Sequence, residues 1–400
     1  RGRVTKKTWS TGRTFTYAYD AHDNVTEASD SETGTVTMEY DAADRLTRIV
    51  YPKGRGFTFA YDAAGRLVTR TSLDGVVERF AYDAAGRLAS VSDGNGTVYL
   101  KNSYDATTGR LARQENGNGT SVAYLYDKLG RVVSIEHSDA SGEIAESLQY
   151  CYDADGRCLR ASSLQGEERY TYDKDGQLTA VDYPDIPDET FAYDAVGNRT
   201  SANGETYTVN DLNQYTAVSD GRTFAYDKDG NLTKMTDDSG TTTYTYDTLN
   251  RLTAVKNASA GIDWSCQYDV FGNRTSVTDH GVTTERVYLQ GALPSVAAEY
   301  VNGELRERHI LVGAVKVASE TDNGQSNYYH ADLIGSTRLV TDGDGAIVIA
   351  TGTAYDARYA AVVSLRAGGG DGAVGAEDDV SYLGAGADSA EEADATGSAG

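Results

Sequence analysis

Aromatic residues alternate with small or polar residues in short runs that recur along most of the chain. Phe57, Phe59 and Tyr61 form one such series, and Tyr244 and Tyr246 belong to another. Because successive side chains of an extended strand point to opposite faces, each run places its aromatic residues on one face. The pattern predicts short β-strands that each bury one apolar face.

Each run ends in a Tyr-Asp pair, which is followed by two small or variable residues, a glycine and, in many copies, Arg-Leu. Asp suits the first position of a type I turn because its carboxylate accepts backbone NH groups, and Gly suits the fourth. The segment therefore predicts a tight turn with a β-bulge between antiparallel strands. Three representative copies are Tyr61, Asp62, Gly65 and Arg66; Tyr82, Asp83, Gly86 and Arg87; and Tyr226, Asp227 and Gly230.

The fourth turn position should adopt a positive φ, which Gly, Asn and Asp tolerate better than other residues. Most copies have Gly there, and the copy at Tyr104 has one extra residue before Gly109. The copies without Gly have Asp23, Asp44, Asn213 and Asn250. All the exceptions are residue types that the predicted turn accepts. The Arg that follows is expected to brace the turn Asp within its own repeat.

The Tyr-Asp pairs return about every 20–22 residues, which indicates a repeat architecture. A second turn, such as Asp74-Gly75, lies between successive pairs, so each repeat is predicted to be two strands and two turns. The fold class is therefore all-β, built from tandem antiparallel hairpins that bury their apolar faces mainly against neighbouring repeats. A β-propeller is the alternative, although its blades usually take about 40–50 residues and four strands.

Composition and charge restrict the classes of partner. The net charge is −24 and no basic stripe is present, which argues against nucleic-acid binding. No apolar run approaches the ~18 residues of a membrane-spanning helix. Cys151 and Cys158 flank one turn, but the bulge should pair Tyr152 with Cys158, so a disulfide between the cysteines is not predicted.

The pattern divides the chain into three parts. Residues 1–280 are the repeat array, and residues 281–357 are predicted to be further antiparallel strands. A last turn motif begins at Tyr355 and Asp356 but has Tyr359 where Gly, Asn or Asp is required. Residues 358–400 are rich in Gly, Ala, Asp and Glu and are predicted to be disordered. Because repeats are already running by Tyr17, we expect the chain to be a piece of a longer protein.

The Tyr-Asp-Ala-Ala-Gly-Arg-Leu unit resembles the YD repeat of the RHS (rearrangement hot-spot) family. That family includes bacterial wall-associated and polymorphic-toxin proteins and, more distantly, the teneurins. Residues 328–338 resemble its core segment, a Tyr-Tyr-His-x-Asp-x-x-Gly-Ser pattern that is matched here by Tyr329, His330, Asp332 and Gly335. The resemblance covers about residues 10–357 and is specific because many copies occur in register.

The resemblance implies a spiralling β-sheet that forms a shell around a C-terminal toxin or effector, in a protein that bacteria secrete or display on their surface. The family's Asn-Pro and Asp-Pro continuation, where self-cleavage takes place, is absent after Asp356. We therefore assign no catalytic, cofactor-binding or metal-binding residue, and we expect a structural protein and not an enzyme. The expected partner is the toxin or effector domain of the parent protein.

Three other functions can be compared with the sequence: calcium binding, hydrolysis and adhesion. Asp-x-Asp-Gly turns, as at Asp153 and Asp155, begin like calcium loops but lack the further oxygen ligands, so turn chemistry is preferred. A hydrolase would need a pocket of converging acids, and no carboxylate pair stands out from the repeat. His330 is expected to be a packed, hydrogen-bonded side chain. Tyr-rich faces favour the main alternative, a surface adhesion module that binds carbohydrate or a protein receptor.

Overall fold

The computed structural model describes residues 2–291, 293–351 and 364–365. These residues form 35 β-strands and one 3-10 helix, Pro52–Gly54, and they contain no α-helix. The all-β prediction is confirmed. Among the described residues no helix is long and apolar enough to span a bilayer.

The strands are short and follow one another closely along the chain. The first part contains β1 Lys6–Thr8, β2 Thr14–Tyr19, β3 Val25–Asp30, β4 Gly34–Tyr40, β5 Leu46–Val50, β6 Gly56–Tyr61, β7 Leu67–Ser72, β8 Val77–Tyr82, β9 Leu88–Asp93, β10 Val98–Tyr104, β11 Leu111–Asn116, β12 Ser121–Tyr126, β13 Val132–Ser138, β14 Ile144–Tyr152, β15 Cys158–Ser163, β16 Gly166–Tyr172 and β17 Leu178–Asp182. The second part contains β18 Glu189–Tyr193, β19 Arg199–Ala202, β20 Glu205–Val209, β21 Tyr215–Val218, β22 Thr223–Tyr226, β23 Leu232–Asp237, β24 Gly240–Tyr246, β25 Leu252–Asn257, β26 Ile262–Tyr268, β27 Arg274–Asp279, β28 Val282–Leu289, β29 Ser295–Val301, β30 Glu304–Val312, β31 Val315–Thr321, β32 Ser326–Ala331, β33 Thr337–Asp342, β34 Ile347–Thr351 and β35 Ser364–Leu365.

Each strand pairs antiparallel with the next strand along the chain, from β1–β2 to β34–β35. The result is one open sheet that meanders without a crossover connection. Antiparallel neighbours need only short turns, which is why the repeat can consist of two strands and two turns. The predicted strands after residue 281 correspond to β28–β34.

The predicted bulge lies at the motif tyrosines. The pairing register shifts between Ala60 and Tyr61, so that Tyr61 pairs with Leu67. Equivalent shifts pair Tyr82 with Leu88 and Tyr226 with Leu232. The same shift pairs Tyr152 with Cys158, as the sequence predicted, and leaves Cys151 and Cys158 as free thiols.

The fourth turn position has positive φ, as the turn interpretation requires. Gly65 and Gly86 both have φ of 81°, Gly230 has 92° and Gly109 has 72°. The predicted exceptions have φ of 75° at Asp23, 59° at Asp44, 59° at Asn213 and 60° at Asn250. The backbone conformation therefore explains the residue choice at this position.

Packing between distant repeats is stronger than the sequence predicted. The middle of the array does pack locally, with separate apolar clusters around Val122, Val181 and Trp264. The early repeats instead share their cores with much later strands: Phe15 and Ile49 pack with Val287 and Leu311. A second such cluster joins residues 80–100 with residues 310–328. The sheet therefore coils until β28–β32 lie against its beginning.

Polar contacts follow the same seam between early and late strands. The Tyr51 hydroxyl donates to the Tyr288 carbonyl at 2.8 Å. The Arg308 guanidinium donates to Ser72 Oγ at 2.9 Å and to Asp74 Oδ2 at 2.7 Å. These bonds fix which strands meet, because a shift of the two layers would leave buried polar groups without partners.

Most of the predicted disordered tail, residues 358–400, lies outside the described residues, as does the incomplete turn at Tyr355, Asp356 and Tyr359. Only Ser364–Leu365 of that region is described, and it pairs with β34. The tail therefore remains a prediction from composition.

We expect Ile310→Ala to weaken the closure between early and late strands. Ile310 is fully buried against the Phe80 and Leu100 cluster, and truncation of such a side chain usually costs about 2–5 kcal/mol. Urea denaturation should show the loss. Val315→Ala, at a side chain that is 53% exposed in β31, is the control and should have little effect. Equal effects of the two changes would contradict the assigned packing.

Candidate functional site

The turn aspartate organises its own hairpin. At Asp62, Oδ1 accepts hydrogen bonds from the backbone NH groups of Ala64 and Arg66, both at 2.9 Å. Its Oδ2 accepts the Arg66 Nε–H at 2.8 Å, and the Gly65 NH donates to the Asp62 carbonyl at 3.0 Å. The backbone and side-chain hydrogen bonds from Arg66 lower the pKa of Asp62 below its ordinary value. The carboxylate therefore stays charged and holds the turn.

Asp83 repeats this arrangement with Arg87, whose Nε lies 2.8 Å from Asp83 Oδ2. The NH of Gly86 closes the turn on the Asp83 carbonyl at 2.9 Å. The two copies are thus the same local structure, as their near-identical sequences predict.

The arginine also reaches the next repeat, whereas the repeat sequence predicts a contact only within its own turn. The guanidinium carbon of Arg66 lies 4.6 Å from the centroid of the Tyr82 ring, and Arg45 stands in the same way over Tyr61 at 4.8 Å. The Tyr82 hydroxyl in turn donates to the Leu67 carbonyl at 2.8 Å. Each arginine therefore links its own turn to the following tyrosine, with a cation–π contact of about 0.5–1 kcal/mol at such exposure.

The copy at Tyr226, Asp227 and Gly230 lacks this guanidinium. Asn231 takes the arginine's position, and its Nδ2 donates to Asp227 Oδ2 at 2.9 Å. The same amide donates to Asn250 Oδ1 in the next turn at 3.1 Å. An amide–amide contact thus replaces the arginine–tyrosine contact between these repeats.

The choice of residue in one turn is coupled to the choice in the next. Four copies of the array have an Asn after the fourth turn position. The one at Asn273 ends the array, and in each of the other three the next turn has Asp or Asn at its own fourth position. The side chains of each pair are hydrogen-bonded: Asn24 with Asp44 at 2.8 Å, Asn198 with Asn213 at 3.1 Å and Asn231 with Asn250 at 3.1 Å.

Where Arg occupies that position, the next turn has Gly. A Cβ atom added to Gly86 would lie 3.5 Å from Arg66 Nη1, and one added to Gly176 would lie 3.4 Å from Arg157 Nη1. The guanidinium therefore fills the space that an Asn or Asp side chain would need. This signal is present in the sequence, but it appears only when consecutive repeats are compared in pairs.

The core segment is buried against the early part of the sheet. His330 is 1% exposed, its Nε2 lies 3.1 Å from Thr341 Oγ1, and its ring meets His137 of β13 edge to face with centroids 5.3 Å apart. Burial lowers the pKa of His330 to about 4. Burial, with the neighbouring His330 and Arg338, lowers the pKa of His137 to about 3. Both rings are therefore neutral near pH 7.

Asp332 and Gly335 form the same turn as the repeats. The Ser336 NH donates to Asp332 Oδ1 at 2.9 Å, and Gly335 has φ of 92°. Burial raises the pKa of Asp332, in contrast to the exposed turn aspartates. The Leu333 NH donates to the Tyr150 hydroxyl at 3.3 Å, which attaches this turn to β14.

Tyr329 points to the other side of the strand from His330. Its hydroxyl donates to Glu307 Oε1 at 3.0 Å and lies 3.1 Å from Ser319 Oγ, while Lys316 Nζ stands 4.0 Å from its ring centroid. The predicted core residues are thus contiguous in sequence but divide between two environments. Their arrangement is that of a packed structural segment.

In the described part of the chain, no group of three or more His, Cys, Asp or Glu side chains is placed to hold a metal ion. In the Asp-x-Asp-Gly turn at Asp153, the carboxylate is occupied by Arg157, which also bonds Asp155 at 3.0 Å. These contacts favour turn chemistry over the calcium alternative.

The coupling between consecutive turns can be measured. We expect Gly86→Asn to destabilise the array by about 1 kcal/mol, because it displaces the Arg66 guanidinium from Tyr82. Adding Arg66→Asn should recover part of this loss by allowing an amide pair. The control combines Arg66→Asn with Gly65→Asn, because the guanidinium that lies beside Gly65 is that of Arg45 and not that of Arg66. A double-mutant cycle by chemical denaturation that gives equal coupling for both pairs would refute the interpretation.

The buried histidines should make stability depend on pH. The unfolded chain binds a proton at each histidine near pH 6.5, whereas folded His330 and His137 do so only at about 4 and 3. Stability should therefore be full above pH 6.5 and fall on acidification, by up to about 1.4 kcal/mol per pH unit for each histidine. Denaturation midpoints between pH 7 and 4.5 would show it.

His137→Leu should reduce the slope of stability against pH, whatever its effect on stability itself. His22→Gln is the control, because the pKa of exposed His22 is raised by Asp44, the opposite direction. An unchanged slope in His137→Leu would contradict the assignment.

Comparisons with curated proteins identify relatives that are named as a nuclease and as a deaminase toxin. Over 183 residues, the chain is 30% identical to the tRNA3(Ser)-specific nuclease WapA of Bacillus spizizenii, a match that covers 44% of this chain and 8% of that protein. Over 274 residues it is 30% identical to the double-stranded DNA deaminase toxin A of Burkholderia cenocepacia, covering 59% of this chain and 19% of that protein. The chain thus spans only a small part of these relatives.

Among solved structures, the fold is similar to the crystal structure of TcdB2-TccC3. The TM-score is 0.63 at 18% identity, and the match covers 88% of this chain and 24% of the other. The form without the hypervariable C-terminal region matches with a TM-score of 0.55 at 16% identity, over 88% of this chain and 23% of the other. These likenesses show a shared shell fold.

The family described as Teneurin YD-shell matches residues 1–137 and 115–280, which together make up more than half of the sequence. This match agrees with the hairpin repeats, their tyrosine-to-arginine contacts and the shell fold. The chain belongs to the teneurin YD-shell family of RHS/YD-repeat proteins.

Proposed function

We propose that this chain is the wall of a shell, in a larger bacterial protein that is secreted or displayed on the cell surface, and that the shell encloses or presents a C-terminal toxin or effector. The observation that carries the proposal is the single coiled sheet, whose late strands pack on its early ones. Such a sheet separates an interior space from the surroundings, and pairing between its strands satisfies their backbone hydrogen bonds.

The chemistry of the chain supports a structural role. Its repeated carboxylates are engaged in turn hydrogen bonds, and its core histidines are neutral and packed. Three acids, Asp227, Asp229 and Asp247, line one open cavity. Hydrogen bonds from Asn231 to Asp227 and from Arg251 to Asp247 lower the pKa of both carboxyls, whereas a glycoside hydrolase needs one acid with a raised pKa. We infer that any enzymatic activity of the whole protein belongs to a separate domain.

The relatives support the nature of the proposed cargo. One is named as a tRNA nuclease and another as a DNA deaminase toxin, and both are much longer than the segment matched here. Because such different activities accompany similar repeats, the repeats fit a common container better than a common active site. The proposed partner is therefore the toxin or effector of the parent protein.

A surface adhesion module remains the second candidate, with a carbohydrate or a protein receptor as partner. It is favoured by apolar side chains at the third turn position, which project at the ends of the strands. These tips are highly exposed: Leu129 at 74%, Val196 at 73%, Leu212 at 76% and Ile334 at 80%. Exposed apolar groups of this kind are common at binding surfaces.

A protease-protection experiment on the full parent protein tests the shell. The coding region beyond this chain would first be sequenced to define the C-terminal domain. We expect that domain to resist protease in the native protein and to become sensitive after Arg308→Met with Asn118→Ala, which remove contacts between early and late strands. Protection is measured as the half-life of the intact domain.

Leu212→Ser is the matched control, because it changes an exposed turn tip and should leave protection unchanged. Equal sensitivity of the C-terminal domain in the native and seam-altered proteins would contradict encapsulation. Loss of cell or glycan binding in Leu212→Ser, with protection unaffected, would instead support adhesion.

A further inference from the structure

The repeats define a seat for a guanidinium group. In six copies an arginine stands between the aspartate of its own turn and the tyrosine ring of the next repeat. The distances from guanidinium carbon to ring centroid are 4.8 Å for Arg45 and Tyr61, 4.6 Å for Arg66 and Tyr82, 4.2 Å for Arg87 and Tyr104, 4.7 Å for Arg131 and Tyr152, 5.4 Å for Arg157 and Tyr172, and 4.5 Å for Arg251 and Tyr268. This seat combines a carboxylate with an aromatic face.

The repeat at Asn231 has the carboxylate and the aromatic ring of the seat but no arginine. Asn231 hydrogen-bonds Asp227 and Asn250, and no cation stands over the ring of Tyr246 in the described residues. The hydroxyls of Tyr226 and Tyr268 donate to carbonyls of the preceding repeat, at 2.8 Å each, but that of Tyr246 makes no such bond within the described chain. The Tyr246 ring packs against the Trp264 cluster on one side, but within the described chain it has neither the arginine contact nor the hydroxyl bond of other motif tyrosines.

An open cavity of about 500 Å³ lies at this position. Its lining includes Trp9, Tyr244, Tyr246, Asp227, Asp229 and Asn231. Trp9 comes from the first hairpin turn, where the Trp9 NH donates to the Arg13 carbonyl at 3.0 Å, and Arg13 in turn reaches Asp247 Oδ2 at 3.3 Å. Two distant parts of the coiled sheet therefore build one aromatic and acidic pocket.

The pocket has uncompensated negative charge. Asp247 is paired with Arg251 at 2.6 Å as well as with Arg13. In the part of the chain described, Asp227 and Asp229 have no cationic partner, and Asp227 accepts hydrogen bonds only from Asn231 and backbone NH groups. A cation that entered would meet two carboxylates beside aromatic rings.

The other Asn-containing copies do not have this combination. At Asn24, the ring of His22 bonds the Asp44 carboxylate at 2.8 Å beside the Asn24 amide. At Asn198, the position of the next motif tyrosine is taken by Val209, so no aromatic face follows. At Asn273, Asp269 is itself buried, and the hydroxyl of the next tyrosine, Tyr288, donates to the Arg274 carbonyl at 2.9 Å. Among the Asn-containing copies, the combination is therefore specific to the repeat at Asn231.

We propose that this pocket binds the guanidinium of an arginine side chain presented by another polypeptide segment. The fold itself supplies the template, because six of its own arginines occupy the equivalent seat. A planar guanidinium can stack on Tyr246 or Trp9 while it donates two hydrogen bonds to Asp227, which an ammonium group does less well. An arginine within a peptide fits better than free arginine, whose carboxylate would be repelled by Asp227 and Asp229. This inference is independent of the proposed shell function.

Trp9 provides a direct reporter of binding. The chain has two tryptophans, and the other, Trp264, is buried with 7% exposure, so it gives a constant background. The probe is arginine blocked at both ends, as N-acetyl-arginine-methylamide, and the matched controls are the citrulline and lysine analogues. We expect saturable binding of the arginine probe, about tenfold or more tighter than that of uncharged citrulline. Lysine and unblocked arginine should bind more weakly.

Filling the seat from within should abolish binding. Asn231→Arg combined with Asn250→Gly restores the common pair of residues, so its own guanidinium should block the probe while thermal stability is retained or raised. Asn24→Arg with Asp44→Gly makes the same change at another repeat and should leave binding unaltered. Equal binding of the citrulline probe, undiminished binding in the Asn231 double variant, or no saturable binding of the arginine probe would each overturn the proposal.

Discussion

The turn carboxylate is the group on which the rest of this structure depends. One oxygen of Asp62 ties down two backbone NH groups, and the other holds the arginine that reaches the following tyrosine. A single side chain thus closes its own hairpin and aims the contact to the next one. Because every repeat is placed by the repeat before it, the long sheet keeps a regular path without disulfides or an α-helical layer in the described residues.

The fold was largely predictable because its determinants are local. The strands follow from period-two alternation, and the positive φ at Asp44 and Asn250 follows from the geometry of one turn. The contact of Tyr51 with Tyr288 and that of His137 with His330 were not predictable. They depend on the curvature of the sheet, which is the sum of small rotations over many repeats and has no signal in any one of them. The pocket at Asn231 was missed for the same reason, since Trp9 arrives from a distant repeat.

Polar groups in the seam add specificity to the apolar packing. Arg308 with Asp74, and Asn118 with Thr341, lie where the early and late strands meet. Apolar clusters alone would tolerate sliding of one strand layer over the other, whereas these pairs are satisfied in one alignment only. The core segment therefore helps to fix the alignment of the strands. His330 contacts His137 of β13, and Tyr329 contacts Glu307 on the opposite side of the same strand.

The pairing of Asn with Asp or Asn in the next turn has a consequence for how such arrays can change. The partners, for example Asn198 and Asn213, lie in different repeats. The residue that one repeat can have at this position therefore depends on the residue in the neighbouring repeat, and not only on the consensus within each unit. Duplicating or deleting one unit can place an arginine ahead of an occupied turn, which crowds the junction, or an Asn ahead of a glycine, which leaves a hole. The first error strains the sheet and the second opens a cavity in it. The order of the repeats is therefore constrained as well as the sequence of each repeat.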